Sequence, residues 1–266
     1  MILVTGPKGF VGRRIMAMRE DAIGSPSLRG ASEDDIKRIV EESRADTVIH
    51  TAAISDVAAC AADPEASYHA NVLIPVFLAR AVKNKKLICF SSDQVYTASE
   101  EEGPYTEEMA SPGNVYAEQK LEMEQRVLDI APDSVMLRAE WMYDYDRENA
   151  NYFMRILNAT DPVCFSSRNY RGVTYVKEVA ENMDRVMRLP GGIYNFGSET
   201  GKSMYELTRD FLKTIGKDLE VRDCVLQHNL WMDCKKARKY GVEFSSVEQG
   251  LVRCARDYRN LSTIRM

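Results

Sequence analysis

Tyr116 and Lys120 stand four residues apart in the run Asn114-Val115-Tyr116-Ala117-Glu118-Gln119-Lys120. On a helix that spacing puts both on one face, so a phenol and an ammonium sit side by side. A free tyrosine, with a pKa near about 10, is a poor acid or base at neutral pH. A neighbouring cation is expected to draw that pKa down toward the working range. Upstream, an apolar strand ends in Ser91-Ser92, and a Ser92 hydroxyl there can hold a carbonyl oxygen beside the phenol. Given a hydride source, the set interconverts a carbonyl and an alcohol. Tyr-x-x-x-Lys alone is common on surface helices, so its meaning rests on what surrounds it.

The other end of the chain suggests the hydride source. Gly6-Pro7-Lys8-Gly9-Phe10-Val11-Gly12 follows the apolar run Ile2-Leu3-Val4 and precedes a helical pattern. Gly6, Gly9 and Gly12 allow a tight turn, and the backbone there, with Phe10 and Val11 opening the helix, can approach a pyrophosphate at the positive helix end. That pattern points to a nicotinamide dinucleotide. The end of the second strand reads Gly24-Ser25-Pro26-Ser27-Leu28-Arg29, with no acidic residue to hold a ribose 2′-hydroxyl. Small hydroxyls and Arg29 suit a 2′-phosphate, so NADP(H) is favoured over NAD(H); the rival reading makes Arg29 an ordinary surface charge. A second glycine stretch, 197–203, mimics a phosphate-binding loop but has three residues between its glycines where four are required. It reads as a turn before a helix capped by Ser203.

These groups need a frame. Short apolar runs at 2–4, 47–50, 87–90 and 134–138 alternate with helical patterns, one of them capped by Ser32 and another spanning 64–82. Such alternation implies a parallel sheet covered on both faces, an α/β, Rossmann-like doubly wound fold. Residues 100–113 read as an irregular loop. After Ala139 the regularity falls away, leaving candidate helices at 151–158, 176–188, 203–215 and 247–258 between short strand-like pieces. Residues 1–139 are expected to form the NAD(P)-binding domain. Residues 140–266 would form a smaller, partly interleaved substrate lobe, with part of 172–192 returning to the first domain.

The 266 residues can bury a substantial core, and 45% hydrophobic with 28% charged residues is ordinary for a globular protein. A net charge of −5 argues against a nucleic-acid surface. No apolar stretch approaches the roughly 20 residues that cross a bilayer. With a strand beginning at Ile2, no room is expected for a signal peptide, which points to the cytoplasm. Six cysteines without a Cys-x-x-Cys pair read as reduced structural thiols. His50, His69 and His228 are too dispersed for a zinc site, and no metal is expected.

In order along the chain, these pieces resemble the extended short-chain dehydrogenase/reductases, and among them the dTDP-4-dehydrorhamnose reductases, which reduce a nucleotide-linked 4-keto sugar. The resemblance rests on residues 6–12, His50-Thr51-Ala52-Ala53, Asn71, Ser91-Ser92-Asp93-Gln94-Val95-Tyr96, and residues 104–107, 114–120, 137–143 and 172–176. It implies that Tyr116 gives the proton to the carbonyl oxygen, that Lys120 tunes Tyr116 and holds the nicotinamide ribose, and that Ser92 binds the substrate oxygen. It also implies cofactor contacts at Ala52, Ala53, Asn71 and Ser91, and a sugar contact at Trp141. Arg171, with Arg168, is a candidate for the substrate diphosphate, because a guanidinium gives phosphate two hydrogen bonds.

Two departures narrow or open the reading. Dehydratases of the superfamily carry Thr-Asp-Glu where this chain has Ser92-Asp93-Gln94, and an amide cannot abstract a proton as a carboxylate can. Dehydration is therefore disfavoured. Glu140 stands where a small residue is common, and Val57–Ala62 is apolar where the reductases carry charge, so the sugar stays open. The expectation is an NAD(P)H-dependent reductase acting on a nucleotide sugar, compatible with a homodimer. Two alternatives remain: a non-catalytic cofactor-binding regulator, like the regulatory subunit of methionine adenosyltransferase, and a sugar-nucleotide epimerase.

Overall fold

Leu3, Val48, Leu87 and Met136 leave their strands on one side, and Val4, Ile49, Ile88 and Leu137 on the other; all eight are buried. Strands apolar on both sides must be covered on both sides, and the computed structural model, which describes residues 1–146, 151–225 and 229–264, has that architecture. His228 lies outside the described residues. In chain order the first half runs β1 (Ile2–Thr5), α1 (Phe10–Met18), β2 (Ala22–Gly24), α2 (Glu33–Ser43), β3 (Thr47–His50), α3 (Val57–Ala62), α4 (Pro64–Tyr68), α5 (Ile74–Val82), β4 (Lys86–Ser92), α6 (Val115–Ile130) and β5 (Val135–Ala139). The second half runs β6 (Trp141–Tyr143), α7 (Tyr152–Asn158), β7 (Val163–Phe165), β8 (Val173–Tyr175), α8 (Val176–Glu181), α9 (Met183–Val186), β9 (Gly192–Phe196), α10 (Met204–Ile215), β10 (Val221–Asp223), α11 (Lys235–Arg238) and α12 (Val247–Ile264).

The main sheet is parallel throughout, with the order β2-β1-β3-β4-β5-β9. Residues of α2, α5 and α6 cover one face, and residues of α1, α8 and α9 the other. The order reverses between β1 and β3, so the loops leaving these strands diverge and open a crevice at the carboxyl edge. Helix starts are written locally. Ser32 and Asp35 form a capping box on α2, and Asn114 accepts the Ala117 N–H to start α6.

The second half builds two small parallel sheets, β6-β8 and β7-β10. With α7, α10 and α12 they enclose their own core around Tyr143, Phe153, Tyr175 and Phe211. The chain returns to the main sheet through α8 and α9, which join the first core, and through β9 beside β5. That last strand begins where the 172–192 stretch ends, whereas β8, inside it, pairs with β6.

Some local readings change. Residues 64–82 are α4, a π-helical turn at His69–Leu73, and α5; the widened turn carries the fully buried Asn71. Helix α3, started by Asp56, was not anticipated. Residues 176–188 divide at Asn182, whose side chain binds the carbonyls of Glu178 and Glu243. Cys164 and Cys224, expected as reduced thiols, are joined by a disulfide across β7 and the end of β10. Sixty residues separate them, so no short spacing marks the pair. Cys60, Cys89, Cys234 and Cys254 are free and buried. The stretch 197–203 is a turn into α10, capped by Ser203 and Glu206. Among the described residues no helix is long and apolar enough to cross a membrane, and no cluster of metal-ligating side chains forms.

Candidate active site

The loops after β1, β2 and β3 enclose a cavity of about 810 Å³ lined by Gly6, Gly9, Ser27, Arg29, Ala52 and Ala53, among others. Gly6 adopts φ +70°, and the Gly9 N–H returns to the Gly6 carbonyl at 2.8 Å. Gly12 is the tightest position: a β-carbon there would lie 2.2 Å from the Gly6 oxygen and 2.8 Å from Thr51 Oγ1. The turn therefore packs backbone on backbone, which only glycine permits. No side chain caps α1 at Gly9, so the first N–H groups of the helix remain for an anion. Phe10 and Val11 turn their side chains into the core; any part they play in an anion site is through the backbone. Arg29 is exposed at the rim with the hydroxyls of Ser25 and Ser27 nearby, and no carboxylate lines the cavity. A dinucleotide carrying a 2′-phosphate fits this donor set.

Tyr116 and Lys120 lie on the face of α6 turned toward β4, 6% and 2% exposed. Ser92, at the end of β4, lies close enough to the Tyr116 phenol to favour its ionised form. The Lys120 ammonium donates to the Phe90 carbonyl at 2.8 Å and lies 5.7 Å from the centre of the Tyr116 ring. Lysine was expected to lower the tyrosine pKa. Burial outweighs it: desolvation pushes the Tyr116 phenol above its usual value of 10.0, and Ser92 is the main opposing effect. The phenol is thus protonated at neutral pH, the form a proton donor requires. Burial lowers Lys120 to about 8, with Cys89, Glu124 and Cys60 pulling the other way.

Asn71 and Ser91 stand one layer behind. Asn71 Oδ1 accepts the Ile54 N–H, and its Nδ2 donates to the Ile54 carbonyl and to Gln119 Oε1, all at 2.9 Å. It thereby ties the cavity loop containing Ala52 and Ala53 to the helix that carries Tyr116. Ser91 is not among the residues that line the cavity and donates to Glu124 at 2.5 Å, which pairs with Arg138 at 2.7 Å in full burial. Gln119, adjacent to Lys120, escaped the sequence reading; its place on the inner face of α6 was the available signal.

The substrate side gathers residues far apart in sequence. Arg171 donates to Asp93 Oδ2 at 2.6 Å and lies 5.4 Å from the centre of the Trp141 ring. Asp93 follows Ser92 directly and accepts from its hydroxyl at 3.2 Å. Arg171 therefore lies close to Ser92, through Asp93, while Arg168 is exposed. Asp93 was missed as a partner because 78 residues separate it from Arg171. Glu140 is buried beside this group.

A family model described as the RmlD substrate binding domain matches residues 1–256. Among curated proteins, a dTDP-4-dehydrorhamnose reductase of Mycolicibacterium smegmatis is 29% identical over 238 residues, covering 84% of this chain and 72% of its own length. Among solved structures, a dTDP-4-dehydrorhamnose reductase from Clostridium acetobutylicum superposes with a TM-score of 0.85 at 19% identity, covering 100% of this chain and 99% of that one. A dTDP-4-dehydrorhamnose reductase from Bacillus anthracis, in complex with NADP, gives 0.84 at 18% identity, covering 96% and 97%. At such identities the structural likeness speaks for the fold.

Proposed function

The chain belongs to the RmlD substrate binding domain family, and from that premise we propose that it is an NAD(P)H-dependent reductase of a nucleotide-linked 4-keto sugar. The observation that carries the reading is the buried Ser92–Tyr116–Lys120 set at the carboxyl edge of a parallel sheet, tied through Asn71 to a glycine-lined cavity. The cavity accommodates NADPH, which when bound supplies hydride to the carbonyl carbon. Ser92 hydrogen-bonds the carbonyl oxygen, and Tyr116 hands it a proton as negative charge develops, so the donors are in place before the reaction. Lys120 holds positive charge beneath the phenol as it ionises. Residues 1–139 carry the cofactor side and residues from 140 onward the sugar nucleotide, with Trp141 and Arg171 at the boundary.

The bound dinucleotide of the Bacillus anthracis relative supports NADP(H), as does Arg29 at the cavity rim. A second reading, a cofactor-binding regulator, draws on α3, whose Val57, Ala58, Ala59, Ala61 and Ala62 are exposed and form an apolar surface near the cavity loop. The test is NADPH and NADH oxidation against a panel of nucleotide 4-keto sugars. Turnover with at least one of them is expected, faster with NADPH. Tight NADPH binding with no turnover on any of them would refute the reductase and favour the regulator.

A further inference from the structure

Glu140 joins β5 to β6 and is 6% exposed, yet the reaction outlined above has no use for it. Its carboxyl lies flush against two glycines. A β-carbon at Gly172 would sit 2.1 Å from Oε1, and one at Gly197 would sit 2.3 Å from Oε2. Three chain segments thus converge on this one group: the end of β5, the approach to β8 and the end of β9. Thr174 Oγ1 donates to Glu140 Oε2 at 2.8 Å while accepting the Ser198 N–H at 2.9 Å, so its single proton is committed to Glu140.

The charged and titratable groups that face Glu140 are Asp93 from the turn after β4, Arg171 from the segment before β8, Glu199 from the loop after β9 and Cys234 ahead of α11. Two are carboxylates. The only cation among them, Arg171, is engaged by Asp93. Burial, with Asp93 and Glu199 as further negative charges, holds the Glu140 carboxyl well above the usual carboxylate range against Thr174 and Arg171. An uncharged carboxyl supports the Arg171–Gly172 backbone without competing for the guanidinium.

Resting on the reductase reading, we propose that Glu140 is a positioning residue for substrate: its carboxyl, packed flush against Gly172 and Gly197 and bonded to Thr174, holds the segment before β8 so that Arg171 stays on Asp93 and over Trp141. The chain has two tryptophans, Trp141 and Trp231, so a Trp231→Phe background reports on Trp141 alone and needs no substrate. Trp141 emission is expected to shift in Glu140→Ala and to return to the wild-type maximum in Glu140→Gln. Wild-type emission in Glu140→Ala would overturn the proposal even if the reductase reading stands.

Kinetics supply the second arm. The substrate is a keto sugar that the wild type turns over, and NADPH affinity is expected to stay level in every variant. At pH 7 Glu140→Ala raises KM more than it lowers kcat, and Glu140→Gln restores KM. A purely structural role instead predicts lower stability in Glu140→Ala without the split between KM and kcat. Absence of turnover in the wild type would sink the reductase reading and leave the fluorescence result to judge Glu140.

Discussion

Replacing Lys120 with methionine separates what the lysine costs the fold from what it gives the site. The ammonium is 2% exposed, and burial lowers its pKa from 10.5 to about 8. The folded value lies below the unfolded one, so as pH rises the folded protein releases this proton first. Between pH 8 and 10.5 the unfolded chain holds one more proton, and wild-type stability gains roughly 1.4 kcal/mol per pH unit from this group. Across that window the gain is about 3 kcal/mol. Below pH 8 the buried ammonium is a standing penalty that methionine lacks. Lys120→Met is therefore expected to be more stable than wild type at pH 7, with the advantage shrinking steadily above pH 8. Urea denaturation followed by circular dichroism from pH 6 to 10.5 measures the difference, in which titrations remote from Lys120 cancel. A difference that stays constant from pH 7 to 10.5 would refute the reasoning. NADPH oxidation should be lost in the same protein, so this variant trades activity for stability.

Gly12→Ala places a methyl 2.2 Å from the Gly6 carbonyl; NADPH affinity measured by calorimetry is expected to fall at least tenfold, or about 1.4 kcal/mol, and wild-type affinity would contradict the packing described. Cys164→Ser opens a loop of 60 residues; the chain-entropy ceiling is about 4 kcal/mol, so Tm should fall, reductant should lower the wild-type Tm similarly, and a reductant-insensitive Tm would count against the bridge. Arg138→Met strands the Glu124 carboxylate in full burial and is expected to lose about 3–5 kcal/mol; adding Glu124→Leu should recover much of it, and equal losses in the single and double variants would argue that the charge is not the cause.

The main sheet could be read from the chain because its strands are short apolar runs punctuated by cap residues such as Ser32 and Asn114, and those signals are local. The glycine turn and the Tyr116–Lys120 spacing are likewise local, which is why their elements were placed correctly. The electrostatics were misjudged at Tyr116 for a definite reason: spacing exposes the nearby cation, whereas burial, the larger effect, belongs to the packed structure. Asp93 with Arg171, and Cys164 with Cys224, are invisible to any window, since 78 and 60 residues separate the partners. Asn71 was expected to touch the cofactor, and only the π-helical turn shows that its amide faces the Ile54 backbone and Gln119. Glu140 stood out as an unusual residue, and only the converging Gly172 and Gly197 explain how a carboxyl is accommodated there.

The most direct test of the proposed chemistry is Tyr116→Phe, which removes one hydroxyl from a buried ring. With a nucleotide 4-keto sugar that the wild type turns over, kcat for NADPH oxidation is expected to fall by about 10²-fold or more. NADPH affinity, read by fluorescence titration, should stay within about twofold, a change of less than 0.5 kcal/mol. Turnover at the wild-type rate in Tyr116→Phe would contradict the assignment of Tyr116 as the proton donor.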